Sequence, residues 1–331
     1  MARQPVLARA DEAGDRFYTW KGEAFWSVTT LIGGGVPKYG IAPWSAKVVA
    51  ELVAADIRAH GPHARAHAAV RRWSRLGRAD VVRRQAAGEL TSIKLEKLSD
   101  LELALRWLKG EPDRVRDAAG EIGSDVHSEA EAHVLRLARD TAAAALEGEA
   151  LPVWPEHLLD HMRSFETFLA EWSPTYEATE ASVFNRPQAY AGTLDAIVRI
   201  RAGLLLEATA RVGDPVPTWL IHRDPADELV GVLDYKAGRA VYPEVGLQLA
   251  AYSRAEFVGL PDGVTEAPLP AIDFGAVLHI TPRGYRFRLV RIDDAVFNAF
   301  LFAREVYRFR KEIAGDVLGH DLAPVPEKAA A

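Results

Sequence analysis

The feature that most narrows what this chain can fold into is a change of pattern at Ser173-Pro174. Before it, alanine, leucine and arginine dominate. Leu158, Leu159, Met162, Phe165, Phe168, Leu169 and Trp172 form one apolar stripe over residues 155–172, which predicts a buried helix face. After it come short β-branched and apolar runs separated by turn residues, at 176–184, 191–200, 204–208, 218–222 and 229–235, each predicting a strand. Residues 242–257 revert to a helical pattern, 274–281 and 285–290 flank Pro282-Arg283-Gly284 as a hairpin, and 293–314 read as a closing amphipathic helix. Helices followed by a sheet with interspersed helices exclude a bundle. The expectation is an α/β (α+β) fold, a central mixed β-sheet flanked by helices.

The 331 residues suffice for one large domain or two smaller ones. The pattern divides into an N-terminal hairpin and helical region over 1–120, read as part of the same compact unit, a core over 121–315, and a disordered tail over 316–331. Aromatic and β-branched residues at 16–20 and 24–32 predict the hairpin, with Ser27 or Thr29 capping the next element. Gly33-Gly34-Gly35 reads as a flexible loop. It is no phosphate loop, because Gly-Lys-Ser/Thr is missing. Residues 44–57 and most of 64–119 read as helix, with breaks near Gly77, Gly88 and Gly110-Glu111-Pro112 and with Trp73 and Trp107 as core anchors.

Composition excludes several chemistries. The chain has no cysteine, so disulfides, thiolate zinc sites, cysteine nucleophiles and an iron–sulfur cluster are all ruled out. Any metal must sit on His, Asp, Glu and carbonyl groups. No apolar run approaches the roughly 18 residues that span a bilayer, and the N-terminus lacks a signal-peptide pattern. The expectation is a cytoplasmic protein with no membrane partner. The net charge is −6, yet eight arginines lie between Arg58 and Arg84 against one acid, Asp80. Such a face suits phosphates, although a solvated helical surface has the same composition. His60, His63 and His67 have no acids beside them and read as surface. His157 and His161 lack the glutamate of a zinc protease, because Leu158 follows His157.

Four places can carry chemistry. The apolar run at 229–233 is interrupted by Asp234 and Lys236 just before Gly238; on a strand these two side chains share a face. An isolated Asp-x-Lys is as often a strand-end ion pair as an active centre. Asp195 sits among apolar neighbours in Gly192-Thr193-Leu194-Asp195-Ala196, where an ionised carboxylate is costly unless paired or metal-bound. His127 lies one helical turn after Gly123 and one before Glu131, a pairing of imidazole and carboxylate that suits a divalent metal. Gln248 and Tyr252 likewise share a helix face.

In that order, Gly-x-x-x-His, Gly-Thr-Leu-Asp, Asp-Tyr-Lys and Gln-x-x-x-Tyr closely resemble the PD-(D/E)XK nuclease superfamily, with the RecB-like branch that includes phage and CRISPR-associated exonucleases nearest. Ser27-Val28-Thr29-Thr30 followed by Trp44 is also similar to phage members. The resemblance spans roughly residues 24–257 and implies a restriction-endonuclease-like core. It also implies a metal-dependent DNA nuclease, an exonuclease acting in phage or bacterial recombination or repair. His127, Asp195, Asp234 and the backbone carbonyl of Tyr235 would hold Mg²⁺ or Mn²⁺. Lys236 would position the attacking water or stabilise the phosphate. Gln248 and Tyr252 would hold the substrate strand or brace Lys236. Arg71, Arg72 and Arg75 would contact DNA phosphates, while Glu131 and Glu180 would support the ligands or a second metal.

The chain departs from the family pattern in the long gap between Asp195 and Asp234, where residues 201–227 read as an insertion with extra strands. It also carries Asp rather than the commoner Glu at position 234. With no helicase loop, unwinding would need a partner such as a helicase; a recombinase or a single-strand annealing protein are the other partners implied. Two rivals remain: a DNA-binding or recombination-partner module that keeps the fold without turnover, and a structure-specific endonuclease sharing the centre.

Overall fold

The computed structural model describes residues 7–11, 14–37, 41–60, 66–90, 93–143 and 154–321. The chain separates into two compact units, Met1–Pro37 with Gly123–Ala331, and Lys38–Ile122. The larger begins with a meander, β1 (Ala8–Ala10), β2 (Arg16–Trp20) and β3 (Glu23–Ser27), followed by α1 (Val28–Gly35). The smaller holds α2 (Ile41–His60), α3 (Ala66–Ala86) and α4 (Asp100–Lys109), with Ser99 closing a capping box on Glu102. Helix α5 (Glu111–Ala143) is grouped with the larger unit from Gly123 onward.

The rest belongs to the larger unit. Helix α6 (Leu159–Trp172) leads into β4 (Thr175–Asn185), β5 (Tyr190–Arg201), α7 (Ala202–Val212) and β6 (Glu228–Lys236). There follow α8 (Val245–Ser253), β7 (Phe257–Gly259), β8 (Glu266–Pro268), β9 (Phe274–Thr281), β10 (Gly284–Val290) and α9 (Asp294–Arg308). The chain is thus mixed α and β, a mixed sheet with flanking helices.

The sheet has ten strands among the described residues, and it forks at β5. One edge of β5 is taken along most of its length by antiparallel β4. The other edge pairs parallel with β3 at Tyr190 and Ala191, then antiparallel with β6 from Ala196 to Arg201. Residues 192–195 lie between these two partners. Strand β6 continues parallel to β9, and β10 closes that side as an antiparallel edge.

Each face carries its own core. On one, Val126, Ala130 and Val134 of α5 and Met162, Phe165 and Phe168 of α6 pack against Leu233, Tyr235, Leu278 and Ile280. The predicted stripe of α6 is therefore the buried face, and each fully buried side chain of this size contributes about 1.5–3 kcal/mol. On the other, α1, α8 and α9 supply Leu31, Leu249 and Phe300 against Ile197, Val232 and Val277.

Several sequence expectations are corrected. The region 1–120 is not one piece: the meander joins the sheet through β3 and β5, while residues 38–122 form their own unit. Gly33-Gly34-Gly35 is not a loop but the end of α1. A Cβ on Gly35 would lie 2.0 Å from the Ala303 carbonyl, and one on Gly34 would lie 2.4 Å from the Tyr307 ring. Close packing on α9 thus requires glycine and overrides its poor helix propensity. Gly77 does not break α3 either; a Cβ there would meet the Leu103 carbonyl at 2.1 Å. Trp73 and Trp107 are half-buried rather than core, and Trp107 lies under the Arg114 guanidinium at 3.5 Å.

Beyond Arg201, which ends β5, the insertion at 201–227 carries no strand. Residues 204–208 lie in α7, which ends at Gly213 with φ of 82°, and 218–222 form turns. A short leucine run has no periodicity that separates strand from buried helix. Here the Ala, Leu and Glu content and the glycine cap favour helix. Of the expected tail, residues 322–331 lie outside the described residues, as does His63. Among the described residues no helix is long and apolar enough to cross a membrane.

Candidate metal centre

The fork in the sheet builds the site. Pairing of β5 with β6 ends at Ala196 and Leu233, so Asp195 and Asp234 occupy the next rung, where the strands part. Tyr235 has lost its ladder partner on that side. Its backbone N–H instead donates to Asp195 Oδ2 at 2.5 Å. A carboxylate in place of a carbonyl holds the fork open while satisfying the amide.

Glu180 reaches the same point from β4. The pairs Thr179 with Ala196 and Ala181 with Leu194 keep the register on either side of Glu180 and Asp195. Yet Ala178 and Ala181 pack on the same core, as do Leu194 and Ile197. Side chains three apart share a face only if the alternation slips between them. The slip is visible as φ of 48° at Glu180, a left-handed conformation costly for a residue other than glycine. One of the strained backbone positions thus lies where two carboxylates meet.

His127 approaches from α5. Its Nε2 lies 2.8 Å from the Tyr235 carbonyl oxygen, and its Nδ1 lies 3.6 Å from Asp195 Oδ2. A carbonyl only accepts, so Nε2 carries the hydrogen in that contact. Nδ1 then turns a lone pair towards a carboxylate oxygen, an arrangement relieved by a proton or a cation between them. One ligand atom from each of His127, Glu180 and Asp195 lies within 4.8 Å of the others. Burial, followed by the charges of Asp195 and Glu131, pushes the Glu180 carboxyl up to about 7. Glu131 thus acts on the centre through its charge. This donor set, an imidazole with oxygen ligands and excess negative charge, fits a hard or borderline divalent ion.

Asp234 stands in a different environment. It is 2% exposed. Its Oδ1 accepts a hydrogen bond from Gln248 Nε2 at 2.9 Å, and its Oδ2 forms an ion pair with the Lys236 ammonium. Oδ2 has no hydrogen bond of normal geometry; the short lysine contact is best described as Coulombic. Burial outweighs the lysine and raises the Asp234 pKa, with Asp195 adding to the rise. Lys236 keeps about a third of its side chain in solvent.

The sequence-predicted residues therefore divide. His127, Asp195, Asp234, the Tyr235 carbonyl, Lys236 and Gln248 meet at the fork, with Glu180 and Glu131 beside them. Tyr252 does not face solvent. It is 2% exposed, and a Cβ on Gly192 would lie 2.5 Å from its ring. Its ring packs against Gly192 of β5, next to the fork. Arg71, Arg72 and Arg75 lie on α3 in the other compact unit. Arg72 is ion-paired with Asp56, with Nε at 3.0 Å from Oδ1, while Arg71 and Arg75 are exposed. Glu180 carries more weight here than its sequence context suggested. The usable signal is its register: on β4 it stands opposite Asp195. Against known proteins, the chain matches no family model and no curated sequence.

Proposed function

We propose that this chain is a Mg²⁺- or Mn²⁺-dependent deoxyribonuclease with a restriction-endonuclease-like core, acting as an exonuclease on linear DNA. The observation that carries the reading is the convergence of His127, Glu180 and Asp195 beside the Asp234–Lys236 pair where β5 and β6 part. His127, Asp195, Glu180 and Asp234 would hold the ion, and the Tyr235 carbonyl, which accepts from His127 Nε2, would join them on giving up that bond. A bound ion would polarise the phosphate and lower the pKa of a coordinated water.

The chain's own residues supply the rest. Acidic side chains alone would repel a phosphodiester, so the site suits such a substrate only with a cation present. Lys236 is the basic group at the fork that reaches solvent, placed to orient water or to stabilise charge on the phosphate. Gln248 holds Asp234 from the other side and fixes its rotamer. Arg71 and Arg75 offer guanidinium groups for sequence-independent phosphate contact.

The test is digestion of end-labelled linear DNA and of closed circular DNA with Mg²⁺, with Mn²⁺ and with chelator. Metal-dependent loss of the linear substrate is expected, and cutting of the circle would reassign the chain to an endonuclease. Retention of DNA without cleavage in either metal would make it a binding module. Full activity in Asp234→Ala or Lys236→Ala protein would overturn the site.

A further inference from the structure

We propose that Arg286 and Arg288 on β10 form a phosphate-binding rail for the DNA strand adjoining the fork. The proposal rests on the nuclease reading of that site. Lys236 pairs with His279 on β9, and His279 pairs with Arg286 on β10. Asp234 pairs with Val277, and Val277 pairs with Arg288. The two arginines therefore stand on the same two rungs as the lysine and aspartate of the centre, two strands away.

They also stand on the same face. Tyr285, Phe287 and Leu289 pack on the core beneath α5 and α6, whereas Val290 packs on the opposite core with Val232 and Val277. Alternation then puts Arg286 and Arg288 on the face of Asp234 and Lys236. Two strand spacings amount to about 10 Å, which one strand of nucleic acid covers in about three nucleotides of axial rise. Val277 and His279, the β9 residues on the intervening rungs, are 1% and 3% exposed, so a strand leaving the fork would pass over the cover of β9 and meet both guanidinium groups at the exposed edge.

The platform is firm. Phe287 lies 5.4 Å from Phe168 and 4.5 Å from Trp172, ring centre to ring centre, so the alternate residues of β10 are fixed and the arginines cannot turn inward. Both are exposed. Among the described residues no ion pair or side-chain hydrogen bond engages either one, in contrast to Arg186, Arg199, Arg223 and Arg254 of the same unit. Charge on an edge strand also discourages edge-to-edge pairing. That role asks for no particular sign and no alignment with the centre, whereas two like charges side by side favour an anionic partner.

The experiment compares the full chain with Arg286→Ala/Arg288→Ala, with Arg286→Lys/Arg288→Lys, and with Arg201→Ala/Arg211→Ala as a charge-matched control. Readouts are steady-state cleavage of labelled linear DNA, its salt dependence, and the thermal midpoint. The alanine pair should raise the half-saturating DNA concentration about five- to tenfold with turnover at saturation within about twofold. It should also flatten the log–log salt slope by about 1.4 for single-stranded or 1.8 for duplex contact. The lysine pair should recover most of the affinity, and the control should match the parent chain. Unchanged half-saturation and salt slope in the alanine pair, or an equal shift in the control, would overturn the rail while leaving the nuclease reading intact. A parent chain that neither cleaves nor retains DNA would overturn both.

Discussion

Two glutamates in the same unit show how differently this sheet treats a carboxylate. Glu266, on the short strand β8, accepts from Lys21 Nζ at 2.6 Å and from Trp20 Nε1 at 3.1 Å, and is ion-paired with Arg186. Those donors hold its pKa down at about 2, the Arg186 hydrogen bond contributing most. Glu180 sits in a left-handed backbone position facing Asp195, and burial pushes it up to about 7. The first arrangement satisfies its charge and is complete. The second leaves charge unsatisfied, which a fold tolerates where a ligand completes the site.

On the proposed nuclease reading, the largest effect that separates the two regions is on cleavage. Asp195→Asn and Lys236→Ala should each lower cleavage by roughly 10³-fold or more, measured as initial rates on labelled DNA. Glu266→Gln should leave the rate within about twofold. A comparable loss at Glu266 would remove the distinction.

Next comes packing. A Cβ on Gly192 would press on the Tyr252 ring at 2.5 Å, and one on Gly259 would meet Phe184 and Trp20 at 2.7 Å. Each alanine substitution should cost about 1–3 kcal/mol of stability, read by denaturant unfolding. Gly192→Ala should also reduce cleavage, because Tyr252 packs next to the fork, whereas Gly259→Ala should not once the protein is folded.

A pH experiment gives the two regions opposite signs. The Glu180 carboxyl is raised from 4.5 to about 7, so the folded state binds its proton more tightly than the unfolded state. The stability this contributes is present below pH 4.5 and is lost as pH rises towards 7. Asp234, raised by burial from 3.8, adds to the same trend. Glu266, lowered from 4.5 to about 2, contributes stability above pH 4.5 that is lost as pH falls towards 2. Thermal midpoints of metal-free protein should therefore decline between pH 5 and 7. Glu180→Gln should flatten the decline, and Mg²⁺ or Mn²⁺ should reverse it by favouring the ionised form. A decline untouched by both would show that Glu180 does not belong to the centre.

The smallest effect concerns the arginines of α3. Arg75→Ala should raise the half-saturating DNA concentration about two- to threefold. Arg72→Ala should do less, since its guanidinium is already committed to Asp56. Equal effects would place phosphate contact on both.

Local pattern carried much of this in advance. The stripe of α6 reads directly as a buried face because helical periodicity and side-chain size agree, and Met162, Phe165 and Phe168 are fully buried. The β9–β10 hairpin is legible from Gly284, which takes φ of 129° at the turn. The leucines of α7 were not, because a short apolar run suits either a strand or a buried helix. Nor was the glycine-rich end of α1, where contact with α9 decides against the intrinsic preference of glycine. At the proposed centre, His127, Asp195, Asp234 and Lys236 are singled out by residue type and by their family-like order along the chain, and Glu180 only as a supporting group, since nothing around it in the chain marks it as facing Asp195.

By itself, then, the sequence determined the helix-to-sheet order, the absence of thiol chemistry and the acids, imidazole and lysine available to a site. Periodicity and composition are local properties and need no partner. Tertiary structure decided the fork at β5, the meeting of Glu180 with Asp195 and His127, the burial of Tyr252 and the alignment of Arg286 and Arg288 with the rungs of Lys236 and Asp234. These depend on which strands pair and in what register, and strand pairing joins residues whose separation along the chain carries no record of their meeting.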